Sequence, residues 1–254
     1  MKELKGACLA AALAGAKVLR ELEGKPRDIH FKGRIDLVTD ADKASEEAVL
    51  RVLYQRLPGA SVLAEESGAS GSGDLRFIVD PLDGTTNYAH GLPLYCCTVA
   101  AEVKGVLEAG CTVDPTRNEV FLAERGGGAT LDGVKLQVSP VALLEHALVC
   151  TGFPYGDREK LPGMIAAFGR LTESARGSRR LGSAALDLAY VAAGRLDAFW
   201  EVGLKAWDVA AGVLLVQEAG GVVTRFDGST HQLAGGQILA ASPGIHPAML
   251  AQLR

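Results

Sequence analysis

The run Phe77-Ile78-Val79-Asp80-Pro81-Leu82-Asp83-Gly84-Thr85-Thr86-Asn87-Tyr88 places two carboxylates and a glycine-threonine turn directly after a short apolar stretch. Three bulky apolar residues, two of them β-branched, read as a strand buried on both faces. Asp80 is expected to be the first residue to leave that environment, at the strand's C-terminal end. Pro81 fixes its own φ and restricts the residue before it, so the carboxylates of Asp80 and Asp83 and the carbonyl of Leu82 can converge on one point. Three oxygens on four residues suit a hard divalent cation. Gly84 and Thr85 then open an expected helix whose first N–H groups would face a phosphate held by that cation. The same residues also fit a plain turn in which the aspartates cap a helix.

Two further acidic positions weigh against the plain turn. Glu65 and Glu66 follow the short apolar stretch Val62 to Ala64, and Asp208 opens an apolar segment that runs to Glu218 and stops at Gly220-Gly221. Each carboxylate alone could cap a helix or sit in a solvated turn. Clustered at the edges of apolar elements they repel one another unless a cation offsets the charge.

The elements that must position these residues are legible in outline. Helices are expected over residues 4 to 23 and 40 to 57, the second with Val49, Val52, Leu53 and Leu57 on one face and Pro58-Gly59 as its stop. In the first, Leu9, Leu13 and Ala16 lead at helical spacing into Leu19 and Leu22. That pattern and Glu3 favour a surface helix over an export signal, although Ala7 to Ala16 is apolar and Ala14-Gly15-Ala16 mimics a cleavage site. From Leu94 to Val138 the chain reads as an antiparallel meander turning at Gly105, Asn118 and Asp132-Gly133. After Pro140, strands are expected at 147–151, 196–201, 221–226 and 237–241, with helices near 160–174, at 183–194 and at the Asp208 segment. The Gly/Ser-rich stretch from Gly68 to Asp74 is expected to be a mobile loop flanking the site.

Composition frames these elements. With 254 residues and 48% hydrophobic content, the chain can bury a sizeable core, as one large domain or two packed halves, 1–140 and 141–254. The first half carries Glu65, Asp80 and Asp83, and the second carries Asp208 and a substrate pocket. A net charge of -4 gives no electrostatic reason to expect nucleic acid, and the small cluster Arg176, Arg179 and Arg180 is better assigned to an anionic substrate or an interface. Five cysteines without metal-ligand spacing read as reduced core residues, in keeping with the cytoplasm. No segment approaches the roughly 20 apolar residues needed to cross a bilayer.

Beyond these readings, the chain resembles the inositol monophosphatase family of magnesium-dependent, lithium-sensitive sugar phosphatases. Asp80 to His90 is similar to that family's first signature, and Trp207 to Gly221, reading WDVAAGVLLVQEAGG, to its second. Asp36 to Asp42 resembles an early acidic segment, Glu65-Glu66-Ser67 an acidic pair, and Gly182-Ser183-Ala184-Ala185 a substrate-binding turn. From about residue 30 onward the resemblance implies a mixed α+β, five-layered αβαβα sandwich. It implies that Glu65, Asp80 and the Leu82 carbonyl hold one Mg2+, that Asp80, Asp83 and Asp208 hold a second, and that a third, weaker ion sits near Glu65. Mn2+ would substitute, and Li+ and Ca2+ would inhibit. It further implies that Thr85 and Asp42 position and activate the attacking water while phosphate rests on the Gly84 and Thr85 amides. Glu201, Gly182, Ser183 and Ala184 would bind the substrate together with Asp83 and Asp208, and the enzyme would be a homodimer. Read from the residues alone, Asp42 also fits a capping pair with Thr39, Glu201 an exposed strand end, and His90 a structural role.

The resulting expectation is a phosphomonoesterase acting on inositol monophosphate by direct attack of a metal-activated water. Fructose-1,6-bisphosphatase activity is the alternative, since Arg179 or Arg180 offers a second phosphate a bidentate contact. A covalent aspartyl-phosphate mechanism needs carboxylates two positions apart, whereas Asp80 and Asp83 are three apart. A regulatory member associated with RNA polymerase or the ribosome is a third possibility, although such a protein would have little need of intact metal-site carboxylates.

Overall fold

The computed structural model describes residues 2–24, 29–31, 37–154, 159–234 and 236–254. Helix α1 (Lys2–Leu22) and helix α2 (Asp40–Arg56) form one outer layer, with the short antiparallel pair β1 (Ile29–Phe31) and β2 (Leu37–Thr39) leading into α2. Asp36 lies outside the described residues. Thr39 closes the N-terminus of α2 by accepting from the Ala41 N–H and donating its own N–H and hydroxyl to Asp42.

Against this layer lies an eight-stranded sheet of β3 (Ser61–Ala64), β4 (Gly68–Ser70), β5 (Leu75–Asp83), β6 (Cys96–Val103), β7 (Val106–Asp114), β8 (Glu119–Glu124), β9 (Gly128–Leu131) and β10 (Val134–Lys135). The spatial order is β10-β9-β8-β7-β6-β5-β3-β4, with β3 and β5 parallel and the meander from β5 to β10 antiparallel. Its reversals fall at the expected turn residues: Asn118 and Asp132 hold positive φ, as do Lys104 and Gly105. A five-stranded sheet follows, ordered β12-β11-β13-β15-β14, from β11 (Leu148–Thr151), β12 (Gly177–Arg179), β13 (Ala198–Val202), β14 (Val222–Thr224) and β15 (Gln237–Ala241). Helices α5 (Ala184–Ala192) and α6 (Ala206–Glu218) lie between the two sheets, and α4 (Leu161–Ser174) and α7 (His246–Leu253) cover the far face of the second. Three apolar cores fill the gaps between successive layers, which makes the αβαβα sandwich.

Two expectations need correction. Strand β5 does not end at Asp80: it runs to Asp83 with a register shift between Asp80 and Asp83, so Asp80, Pro81 and Leu82 all stay buried. An irregularity there accommodates the proline, which has no N–H to give a regular ladder. The Gly68 to Asp74 stretch is not wholly a loop, because Gly68–Ser70 pairs with β3 as the sheet's edge and then leads away from the carboxylates. Of the row Leu9, Leu13, Ala16, Leu19 and Leu22 on α1, Leu13 is exposed; the buried face is Ala7, Cys8, Ala11, Ala12, Gly15, Ala16 and Leu19, with Leu9 and Leu22 packed at its edges. Small residues let α1 press closely on α2 and the sheet. The strands β4 and β12 and the helix α7 are elements that the sequence pattern does not announce, each being short.

Gly15 marks the tightest point of that contact. A Cβ there would stand 2.6 Å from Cys97 Sγ and 2.8 Å from both Ser45 Oγ and Val49 Cγ2. Gly15→Ala gains about 1 kcal/mol of helix propensity but overpacks a buried junction, a change that costs about 1–3 kcal/mol. With three contacts violated at once, overpacking wins. The variant is expected to unfold at lower urea concentration than the parent, which equilibrium denaturation measures.

Candidate active site

The carboxylates are brought to one place by strand ends and helix starts from both sheets. Glu65 follows β3, its N–H donating to Val79 O on the neighbouring β5 at 3.2 Å. Asp80 lies on β5, fixed by the Leu82 N–H to its Oδ1 at 3.0 Å. Asp83 ends β5, and Asp208 lies in the first turn of α6, where its Oδ2 accepts from the Lys205 N–H at 2.6 Å. With Leu82, Gly84, Thr85, Gly182, Ser183, Ala184 and Glu201 they line one cavity of about 700 Å3. Of the expected site residues only Asp42 is off that wall, fully buried behind Thr85.

The turn after Asp83 depends on Gly84. Its φ is 94°, and a Cβ would meet Leu94 O at 2.8 Å and Tyr95 Cα at 3.2 Å, so a side chain is excluded both by backbone conformation and by space. Helix α3 (Thr85–Ala89) starts there. The Thr85 hydroxyl lies 3.1 Å from Asp42 Oδ1 and 3.1 Å from Leu82 O, while Asp42 Oδ2 is held at 2.7 Å by both the N–H and the hydroxyl of Thr39. Asp42 is therefore a helix-capping residue and the hydrogen-bond partner of Thr85 at once. His90 is exposed and takes no part in lining the cavity.

Residues from the second half close the site from the other side. Asp83 Oδ2 accepts from Ser183 Oγ at 2.7 Å and from the Ala185 N–H at 2.6 Å, and the Cys96 thiol lies 4.0 Å from the same oxygen. Ser183, an expected substrate contact, lines the cavity, and its hydroxyl also donates to Asp83. Asn87 ties the two halves together again, donating to Leu94 O and Leu181 O at 2.8 Å each.

Glu201 is not an exposed strand end. It is buried on β13, and its carboxylate fills the space that a Cβ on Gly152 would take, so the neighbouring strand end makes room for the carboxylate by having no side chain. Beside it stands Asp187, 2% exposed, with no hydrogen-bond partner on Oδ1. Burial raises both well above the usual carboxylate range; each also feels other carboxylates, and Arg180 opposes the rise in both. Of the cluster Arg176, Arg179 and Arg180, Arg180 reaches the cavity wall, while Arg179 is exposed and donates to Ser178 O. The sequence reading missed Asp187, although its signal was there: a lone carboxylate within the apolar run AALDLAYVA.

The electrostatics follow from like charges sharing a pocket. Burial, followed by the charges of Glu65, Asp83 and Asp208 and a hydrogen bond to Glu65, holds Asp80 well above the carboxylate range. Burial lifts Asp83 to about 6 against the pull of its donors from Ser183, Ala185, Ala184 and Gly84. Asp208 rises to about 8 through burial and the charge of Asp83. Among the described residues, no three acidic, histidine or cysteine groups close on one point as a finished cage. The donor set nonetheless fits a hard divalent cation, being all oxygen, and each aspartate is oriented by a donor of its own chain. A cation would remove the repulsion that keeps protons on these groups, and would draw the carboxylates together.

The chain matches the Inositol monophosphatase family over residues 2–254. It is 44% identical over 252 residues to the Nus factor SuhB of Pseudomonas aeruginosa, covering 96% of this chain and 93% of that one. The fold is similar to that of inositol monophosphatase from Anabaena (Nostoc) sp. PCC 7120, with a TM-score of 0.89 at 41% identity over 98% of this chain and 94% of the other. It is also similar to that of an IMPase/NADP phosphatase complexed with Mg2+ and phosphate, with a TM-score of 0.81 at 25% identity over 93% and 89%.

Raised carboxylate pKa values make a stability prediction whose sign can be worked out. Asp83 and Asp208 bind protons more tightly folded, at about 6 and about 8, than at the ordinary 3.8. Their contribution to stability is complete below pH 3.8 and is lost as pH rises through 6 and then 8. In a chelator, the melting temperature of Asp208→Asn is expected to fall less than that of the parent between pH 6 and pH 8. Mg2+ is expected to raise the parent's melting temperature more at pH 8 than at pH 5. Parallel thermal scans of the two proteins check this; identical slopes would refute it.

Proposed function

The chain belongs to the inositol monophosphatase family, and from that premise we propose that it is a metal-dependent phosphomonoesterase that hydrolyses inositol monophosphate to inositol and phosphate by direct attack of water. The observation that carries the reading is the convergence of Glu65, Asp80, Asp83 and Asp208 on one cavity wall beside the Thr85–Asp42 pair. Glu65, Asp80 and the Leu82 carbonyl would hold one Mg2+, and Asp80, Asp83 and Asp208 a second, with a third near Glu65. Such ions, when bound, supply positive charge that acidifies water and stabilises the attacking and leaving oxygens.

The chain's own groups account for the remaining steps. When Thr85 donates its proton to Asp42 Oδ1, its lone pairs turn away from Asp42 and accept a hydrogen bond from the attacking water. Asp42 cannot rotate out of this contact, because Thr39 holds its other oxygen. As the water oxygen bonds to phosphorus it gives a proton by way of the Thr85 hydroxyl to Asp42, and as the bond from phosphorus to the inositol oxygen breaks that oxygen takes a proton from solvent water, leaving inositol and phosphate. The Gly84–Thr85 turn receives the phosphoryl group, which faces the free end of α3. Asp80 is a poor candidate for a covalent nucleophile, being 1% exposed and bonded to the Leu82 N–H.

The leaving-group end favours a neutral polyol. Glu201 and Asp187 are buried acids there, held towards their protonated forms by burial, with Arg180 opposing the rise in both. Glu201, with Gly182, Ser183 and Ala184 beside it, would hydrogen-bond ring hydroxyls, whereas a second phosphate of fructose 1,6-bisphosphate would bring further negative charge into a pocket already crowded with acids. Five buried, unpaired cysteines support a reducing compartment such as the cytoplasm, and a homodimer and inhibition by Li+ follow from the family reading. A second reading, a role in a transcription or ribosome-associated complex alongside catalysis, is favoured by the name Nus factor SuhB that relatives carry.

Phosphate release from inositol 1-phosphate and fructose 1,6-bisphosphate, each with and without Mg2+, tests the proposal. Release is expected to require Mg2+ and to be faster from the monophosphate. Asp83→Asn is expected to lower turnover at least about a hundredfold, the scale on which losing one charge-stabilising group acts, while the protein stays folded by circular dichroism. A variant that keeps Mg2+-dependent turnover would sink the assignment. Glu201→Gln is expected to raise KM for inositol 1-phosphate and to leave hydrolysis of p-nitrophenyl phosphate, which lacks ring hydroxyls, unchanged.

A further inference from the structure

Helix α2 faces the site without lining it. Its buried side presents Asp42, Ser45 and Glu46 at i, i+3 and i+4, with Val49 and Leu53 continuing the row into the core. Each of the three polar residues grips a different piece of the scaffold that carries the carboxylates. Asp42 holds Thr39 and Thr85, and Ser45 Oγ donates to Pro81 O at 2.8 Å, within the Asp80–Asp83 irregularity. Glu46 accepts from two successive backbone N–H groups, Glu66 to Oε2 at 2.9 Å and Ser67 to Oε1 at 3.0 Å.

We propose that Glu46 is a positioning residue for Glu65, fixing the turn after β3 so that the Glu65 carboxylate stays beside Asp80 and ready for a divalent cation. On its outer side that turn continues into β4, a three-residue edge strand whose Ala69 and Ser70 are exposed, and Gly68 there holds a φ of 76°. On its inner side the Glu65 N–H is held by Val79 O. Both oxygens of a 4% exposed carboxylate are spent on the next two N–H groups, a grip that an amide cannot reproduce because one of its two ends is a donor. The loss of a partner that orients a ligand in this way typically weakens metal affinity about 10- to 100-fold.

This inference rests on the reading of Glu65 as a cation ligand, and the test separates the two. Free Mn2+ is titrated by its electron paramagnetic resonance signal against the full-length parent, Glu46→Gln, Glu65→Gln and Val49→Ala, the last removing core packing on the same helix face without touching the turn. Glu46→Gln is expected to bind Mn2+ about tenfold more weakly than the parent. The Mg2+ concentration giving half-maximal phosphate release should rise in parallel, and Val49→Ala should bind Mn2+ like the parent. If Glu65→Gln weakens binding and Glu46→Gln does not, the positioning role is overturned and the ligand reading stands. If neither weakens it, the ligand reading falls first and the inference with it. Should Glu46→Gln fail to fold, Glu46→Asp keeps the charge but shortens the reach by one methylene. Parent-like Mn2+ affinity in that variant would equally overturn the proposal.

Discussion

Like charges held together in a half-buried pocket are the constraint on which this molecule is organised. After burial, the charges of Glu65, Asp83 and Asp208 raise the proton affinity of Asp80 and those of Asp83 and Glu65 raise that of Asp208, and a flexible chain would let the four separate. Separation is blocked in three ways. Asp80 is packed inside β5, Asp208 is bonded to the backbone at the head of α6, and Asp83 is held across the interlayer gap by Ser183 and Ala185. The repulsion is thereby stored in the fold, and a cation can relieve it on binding. A site that binds divalent ions through hard oxygens gains selectivity from this, because the cost of assembling its charges has already been met during folding.

The five layers serve that purpose more directly than they serve size. All nine residues of α5 are buried, and most of α6 lies between the same two sheets, so both helices are fixed on two sides. Asp208 and the Ser183 turn sit at the N-terminal ends of these fixed helices and inherit their rigidity. The strands contribute in the same way, since Glu65 follows β3 and Asp83 ends β5, parallel neighbours paired from Ser61 with Arg76 to Ala64 with Val79.

How much of this could be read from the sequence depended on range. The Asp80 to Thr85 run was legible because its chemistry lies within six residues, and Asp208 because a carboxylate opening an apolar helix is conspicuous. The meander was legible because Asn118 and Asp132-Gly133 announce their backbone conformations. What was not legible depends on partners distant in the chain: nothing local says that the Ser183 hydroxyl meets a carboxylate 100 positions earlier. Glu46 was hidden for the same reason, its partners Glu66 and Ser67 lying on another element. The continuation of β5 past Pro81 was missed because proline ordinarily ends a strand, and only the register shift explains why it does not here. The row Leu9, Leu13, Ala16, Leu19 and Leu22 marks α1 as a helix, while the close contact with α2 and the sheet is made by Ala7, Ala11, Ala12 and Gly15, whose small size carries little apolar signal.

The hydrogen bond from Ser183 to Asp83 bears on how the protein is made. During synthesis the segment carrying Glu65, Asp80 and Asp83 leaves the ribosome well before Ser183 and Asp208 exist, so an N-terminal fragment holds an acidic patch but not a complete site. The group of four carboxylates is complete only once α5 and α6 have packed between the sheets. Read in reverse, a local opening that lifts α5 and α6 away from β5 would break the Ser183–Asp83 bond and carry Asp208 off while α1 and α2 stay packed on the first sheet.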